Sequence, residues 1–229
     1  MYSSPFLLMR ACIFFDVDNT LFPTAEFAEL ARRNAIRAMI ETGLDATEGQ
    51  IYKELQRLIK EKGSNYPNHF DIILKRIGVK RPARYVAAAV AAYHNTKSSI
   101  QPYPEVPKTL MELKERGYRL YVATNGDAVK QWDKLIRMGI HLFFEDVFVS
   151  GEMGEEKGPH FFRKVLAEIK AHPSECIMVG DRMDSDISPA KELGIYTIRV
   201  LQGPYSREKG RADARISNFS ELLGVVKKL

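Results

Sequence analysis

At 229 residues and 26.1 kDa, with 45% apolar and 28% charged residues, the chain has the composition of an ordinary globular protein of one large domain or two modest ones. This excludes a mostly disordered chain, a collagen and a disulfide-built miniprotein, and no apolar run approaches the roughly 18 residues of a membrane span. The net charge is +5; residues 21–100 carry 13 basic against 8 acidic side chains, whereas residues 101–206 carry 14 against 16. With no block of like charge, that excess reads as a solvated surface and not as a nucleic-acid face.

The chain divides into three zones by hydrophobic period. Met1 to Arg10 has a short apolar patch but no basic leader and no small-residue cleavage site, so we expect no signal peptide and a cytoplasmic protein; Met9 is a second candidate start. Ala11 to Phe15 is a continuous apolar run with the length of a strand buried on both faces. From about Pro23 to Ile100 the pattern is helical throughout. Thr24 opens a first helix with Phe27, Leu30, Ala31, Ile36 and Ile40 on its apolar side, stopped at Gly43, and Thr47 opens a second. Lys62 to Asn68 reads as a loop, a third helix runs through Phe70 and Ile77, and an Ala-rich fourth begins near Pro82.

From Pro102 on, strands and helices alternate. Strands are expected at Arg119–Ala123, Val147–Val149, Ile177–Val179 and Tyr196–Val200, with helices between them and a closing helix from Phe219. Such alternation predicts a doubly wound, mostly parallel α/β sheet, built from residues 1–21 and 101–229, with an all-helical, four-helix domain of residues 22–100 inserted after the first strand. Cys12 and Cys176 lie in strand-like runs and read as buried small hydrophobes.

In sheets of this type ligands collect beyond the carboxyl ends of the strands. The polar groups there are Asp16, Asp18, Thr124, Asn125, Gly126 and Asp181, with Lys157 in the loop after the short third strand. Two carboxylates two residues apart at a sheet's mouth are costly unless compensated, and a hard divalent cation of the Mg²⁺ type prefers such oxygens. Asp184 and Asp186 add further carboxylates, Thr124 a hydroxyl, Lys157 a positive charge, and Asn125 and Gly126 backbone N–H groups. Together these suit an anionic group, above all a phosphoryl group.

At this point the chain resembles the haloacid dehalogenase (HAD) superfamily, in its phosphatase branch. Asp16-Val17-Asp18-Asn19-Thr20 is similar to the first motif, Val122 to Gly126 to the second, Lys157 to the third and Val179 to Asp186 to the fourth, in the family's order over nearly the whole chain. The third motif departs from the usual Lys-Pro in reading Lys157-Gly158-Pro159, with Glu155 and Glu156 just before it. The resemblance implies a HAD-like Rossmannoid core, a helical cap of the type I (C1) class, and a Mg²⁺-dependent hydrolase of phosphate monoesters. It implies Asp16 as nucleophile, forming an aspartyl-phosphate, and Asp18 as the acid that protonates the leaving alcohol and then the base that activates water. It places Mg²⁺ on Asp16, Asp181 and the Asp18 backbone carbonyl, with Asp186 acting through water or by orienting Lys157, and Asp184 as a competitor for that place. Thr124 and Lys157, helped by N–H groups near Asn125, would hold phosphoryl oxygens.

The electrostatic need does not depend on the family. A carboxylate and a phosphate charge 4 Å apart repel by ~4 kcal/mol at an effective dielectric near 20, which the cation and Lys157 must offset. Asp18 also favours ester over carbon–halogen chemistry, because an alkoxide needs a proton and a halide does not. Selectivity is expected from the helical zone, where Tyr66, Asn68 and His69 are candidate contacts, with Phe22 as a wall residue and Arg182 as a second anion contact. The expected partner is a small phosphorylated metabolite, such as a triose or sugar phosphate, phosphoglycolate or a nucleoside monophosphate. A phosphoryl transferase such as a sugar-phosphate mutase and a non-catalytic binding protein using the basic helical zone stay open as alternatives.

Overall fold

The computed structural model describes residues 11–64 and 66–229, so the readings made for Met1–Arg10, and Asn65 of the predicted loop, lie outside the described residues. The chain forms two compact units, one of the residues up to Ala25 with Gln101–Leu229, the other Glu26–Ile100.

The first unit is built on a six-stranded sheet in the order β3-β2-β1-β4-β5-β6, in which every neighbouring pair is parallel. β1 (Cys12–Phe15) lies between β2 (Arg119–Thr124) and β4 (Cys176–Gly180), with Phe15 paired to both Val122 and Val179. β3 (Asp146–Val149) and β5 (Tyr196–Val200) extend the sheet outward. All four residues of β1 are fully buried, as their unbroken apolar run requires of a strand covered on both faces. On one face Cys12, Phe14, Met178 and Cys176 pack with Phe161, Phe162 and Val165; on the other Phe15 meets Phe144 and Phe219.

Helices connect these strands. α5 (Val106–Glu115) precedes β2, α6 (Ala128–Arg137) follows it, the single turn α7 (Ser150–Met153) follows β3, and α8 (Pro159–Glu168) leads to β4. A π-helical turn at Met183–Ile187 runs into α9 (Ser188–Glu192), and α10 (Leu222–Val226) follows a short 3₁₀ turn at Phe219–Glu221. The sixth strand, β6 (Ala214–Ile216), was not expected. It is three residues long with an exposed Arg215 in the middle, too short to show a period, and the sheet edge and the side chain of Asp213, which accepts from the Thr197 N–H, hold it.

The second unit holds most of α1 (Thr24–Glu41) and all of α2 (Glu48–Lys62), α3 (His69–Arg76) and α4 (Ala83–Lys97), the four helices predicted. Thr47 caps α2 in a reciprocal box with Gln50. Ala35, Ile36, Met39, Ile51, Leu55, Leu58, Ile73 and Leu74 form its core. Leu30, assigned to the apolar side of α1, is 47% exposed; the buried stripe runs instead through Ala31, Ala35 and Met39.

Candidate active site

Three strand ends bring the predicted residues to one rim. Asp16 follows β1 and its N–H still donates to the Val179 carbonyl at 2.9 Å, as if the strand continued one residue. The chain then doubles back, with Thr20, Leu21 and Phe22 N–H groups all directed to the Val17 carbonyl. Asn19 makes the turn at a φ of 60°, a left-handed conformation that asparagine tolerates better than most residues, and its Oδ1 accepts from the Ala25 N–H at 3.0 Å. Thr124 ends β2 fully buried, and Asp181 follows β4.

Lys157 reaches this rim from the loop before α8. Its ammonium lies 2.5 Å from Asp16 Oδ1 and also donates to Asp186 Oδ1, all three side chains being buried. Asp186 is carried in by the π-helical turn, and its other oxygen accepts from the Arg182 N–H at 3.0 Å. Gly180 is required for this approach, because a Cβ there would overlap the Asp186 side chain. Glu155, two residues before the lysine, turns away to His160 and Lys164 and does not compete for it.

Asp16, Asp181 and Asp186 offer oxygens that all lie within 4.8 Å of one another. One buried ammonium therefore faces three buried carboxylates. Burial, joined by the charges of Asp186 and Asp18, pushes the Asp16 carboxyl up to about 7 although Lys157 pulls the other way. Burial and the charges of Asp16 and Asp186 push Asp181 up to about 8. Both Asp181 oxygens are buried with no hydrogen-bond donor. Excess negative charge, orphaned hard oxygen atoms and a tight carboxylate cluster are the donor set of a divalent cation of the magnesium class, so the residues fit the metal the sequence implied. The carboxylate of Asp18 is not among them.

That carboxylate is held by groups the sequence reading missed. Thr24, read only as a helix opener, donates its hydroxyl to Asp18 Oδ1 at 2.5 Å. Lys134 donates to the same oxygen at 2.5 Å, and Gln131 Nε2 donates to Oδ2 at 2.9 Å. Burial opposes ionisation of Asp18, but the Lys134 charge and these three hydrogen bonds outweigh it and hold the carboxyl below its usual range. A signal for Gln131 was present: it stands four residues before Leu135 and seven before Met138, a polar residue on the buried stripe of α6.

Other predicted residues are placed differently from expectation. Asn125 directs its side chain to the Lys157 N–H, which donates to Oδ1 at 2.7 Å, and Gly126 spends its N–H on Ser150 Oγ at 2.9 Å instead of presenting it to a ligand. Asp184, with a side chain 60% exposed, is forked by its neighbour Arg182 and lies outside the acidic cluster, so Asp186 and not Asp184 joins Asp16 and Asp181. The Arg182 guanidinium is thereby engaged, and it also stacks 4.8 Å from the Tyr205 ring centroid. Phe22 is buried in the core. In the helical unit, His69 opens α3, binds the Gly63 carbonyl at 3.0 Å and packs edge-on against Tyr66 at 5.5 Å, while Asn68 is exposed at the helix's N-terminus.

A family model described as haloacid dehalogenase-like hydrolase matches residues 11–194. The chain is 48% identical over 230 residues to a glyceraldehyde 3-phosphate phosphatase of Methanopyrus kandleri, covering 96% of this chain and 99% of that protein. It is 44% identical over 222 residues to a protein of the same name from Methanocaldococcus jannaschii, covering 95% and 97%. The crystal structure of a HAD phosphatase from Thermococcus onnurineus is alike in fold, with a TM-score of 0.67 at 20% identity over 94% of this chain and 97% of that one.

Proposed function

The chain belongs to the haloacid dehalogenase-like hydrolases and is a phosphatase of that family, and on this premise we propose that it cleaves the phosphate monoester of glyceraldehyde 3-phosphate through a phosphoaspartate on Asp16. The observation that carries the chemistry is the buried cluster of Asp16, Asp181 and Asp186 bridged by Lys157, with Asp18 beside it. The choice of ester rests on the two relatives named for that substrate, which match this chain over nearly their whole lengths.

Asp16 and Asp181 would hold magnesium through their carboxylates and Asp18 through its backbone carbonyl, with Asp186 supporting the site and orienting Lys157. The ion supplies positive charge that offsets the repulsion between the Asp16 carboxylate and a phosphoryl dianion. Lys157 and Thr124 bind phosphoryl oxygens, and the lysine's two carboxylate partners fix the direction of its ammonium. An Asp16 oxygen attacks phosphorus and the P–O bond to the sugar breaks; Asp18, ionised in the substrate-free site, takes up a proton as the phosphoryl dianion binds and passes it to the leaving oxygen. Asp18, now a carboxylate, removes a proton from water as that water attacks the phosphoaspartate, which returns Asp16 and releases inorganic phosphate. The helical stretch of residues 22–100 serves as the cap that selects the leaving group.

Phosphate release should be measured on glyceraldehyde 3-phosphate, phosphoglycolate, sugar phosphates and nucleoside monophosphates, with magnesium or with EDTA. The expected result is turnover lost in EDTA and in Asp16→Asn, with a kcat/KM highest for glyceraldehyde 3-phosphate. Undiminished turnover by Asp16→Asn would remove the covalent route, and a higher kcat/KM for another ester would replace the substrate.

A further inference from the structure

Three side chains hold the Asp18 carboxylate. Each of its oxygens is occupied: Oδ1 by Thr24 and Lys134, Oδ2 by Gln131. Gln131 and Lys134 are three residues apart on α6 and so lie on one face of it. Gln131 is almost wholly buried, and its Nε2 donates a second time, to the Asn125 carbonyl at 2.7 Å. Those two acceptors settle which way round the amide lies, since a reversed amide would set its oxygen against two others. Gln131 therefore ties the Asp18 carboxylate to the turn after β2, the same turn whose Asn125 side chain holds the Lys157 backbone.

Lys134 is unusual in its own right. Lysine is a strongly hydrated point charge on a mobile four-carbon stem, and surface ion pairs made by it contribute little. Here its side chain is only 20% exposed and its ammonium is drawn across to a residue 116 positions away. The neighbouring positions of α6 show the alternative, with Val129 and Ile136 left in solvent. α6 thus turns Gln131 and Lys134 to Asp18 while Val129 and Ile136 face solvent.

We propose that Gln131 and Lys134 are positioning residues for Asp18, and that the half-reaction they serve is the attack of water on the phosphoaspartate; this rests on the mechanism proposed above. In the first half-reaction the oxygen that takes the proton is covalently part of a bound substrate, so its place is set by the substrate. In the second the nucleophile is a free water whose approach line is set by the base that holds it, and a base that swings loses that line. Loosening Asp18 therefore slows breakdown of the phosphoenzyme more than its formation.

The test is pre-steady-state hydrolysis of 4-nitrophenyl phosphate with magnesium by the wild type, Lys134→Met, Lys134→Arg and Asp16→Asn, with phosphoenzyme read by intact mass after acid quench. Lys134→Met should lower kcat by about tenfold to a hundredfold with KM changed less than about threefold, and should show a nitrophenolate burst matching the enzyme concentration with phosphoenzyme accumulating. Lys134→Arg, which restores a cationic donor, should recover turnover and lose the burst. A kcat for Lys134→Met within about twofold of wild type overturns the positioning role, as does a slowed variant with unchanged melting temperature and no accumulating phosphoenzyme. If Lys134→Met melts early, Lys134→Gln, which keeps a polar stem, is read by the same criteria. Turnover surviving in Asp16→Asn marks failure of the covalent mechanism itself, and the positioning role falls with it.

Discussion

The side-chain oxygen of Asn125 accepts the backbone N–H of Lys157 at 2.7 Å, across 32 residues of chain. The turn after β2 thereby sets the position from which Lys157 reaches Asp16 and Asp186. α7, which leads into the Lys157 loop, also touches that turn: the Gly151 N–H donates to the Gly126 carbonyl, and a Cβ on Gly151 would overlap that oxygen. Asn125→Ala should cost about 1 kcal/mol of stability, the net worth of one hydrogen bond, yet lower kcat by about tenfold through a displaced Lys157. Steady-state kinetics beside a thermal melt checks the disproportion; a variant that loses stability but keeps its kcat would sever Asn125 from the site.

The crowded carboxylates make cation binding depend on pH. Asp16 and Asp181 are pushed up to about 7 and about 8 from an ordinary value of 3.8, so the cation-free folded chain binds more protons than the unfolded one across that interval. Its stability therefore falls as pH rises through the interval to about 8. A cation competes with those same protons, so the rise in melting temperature on adding magnesium should be small near pH 5 and large near pH 8. Equal rises at both pH values would mean that Asp16 and Asp181 are not its ligands.

Asp184 and Asp186 are two residues apart and differ wholly in surroundings. Asp186 is fully buried on Lys157 and beside Asp16 and Asp181, whereas Asp184 is exposed on Arg182. Asp186→Ala should lower kcat at least about a hundredfold and weaken the magnesium response, while Asp184→Ala should stay within about threefold of wild type. Kinetics of the pair over a magnesium titration is the measurement, and a reversed order would refute the assignment.

Arg199, on β5, is buried with its guanidinium donating to the carbonyls of Asp181 at 3.2 Å, Glu208 at 2.6 Å and Tyr205 at 2.6 Å. It secures the loop between β5 and β6 and steadies the backbone at Asp181. Arg199→Met leaves three acceptors without that donor and should cost about 3 kcal/mol or more, a fall of roughly 10 °C in melting temperature. A fall below about 3 °C would show those carbonyls finding other donors.

The local order of the chain was legible in its sequence because the causes are local. The apolar run of residues 11–15 has the length and character of a doubly covered strand, Thr47 with Gln50 forms its capping box within one turn, and the alternation after residue 102 suits parallel strands with helical crossovers. The rule that ligands gather beyond strand ends was then enough to name Asp16, Asp18, Thr124 and Asp181, since each immediately ends or follows a strand or lies three residues past one.

What the tertiary structure alone decided is which side chain meets which. Asp184 and Asp186 are indistinguishable in a run of acidic residues until a π-helical turn buries one and leaves the other in water. β6 has too few residues to carry a period and exists because β5 offers it an edge. Lys134 reads as one charge among many on an exposed helix, and Arg199 as a polar interruption of a strand; each acquires its role from partners brought near by the fold. Periodicity and capping are properties of neighbours in sequence, whereas the field at a buried charge is summed over groups that only folding assembles.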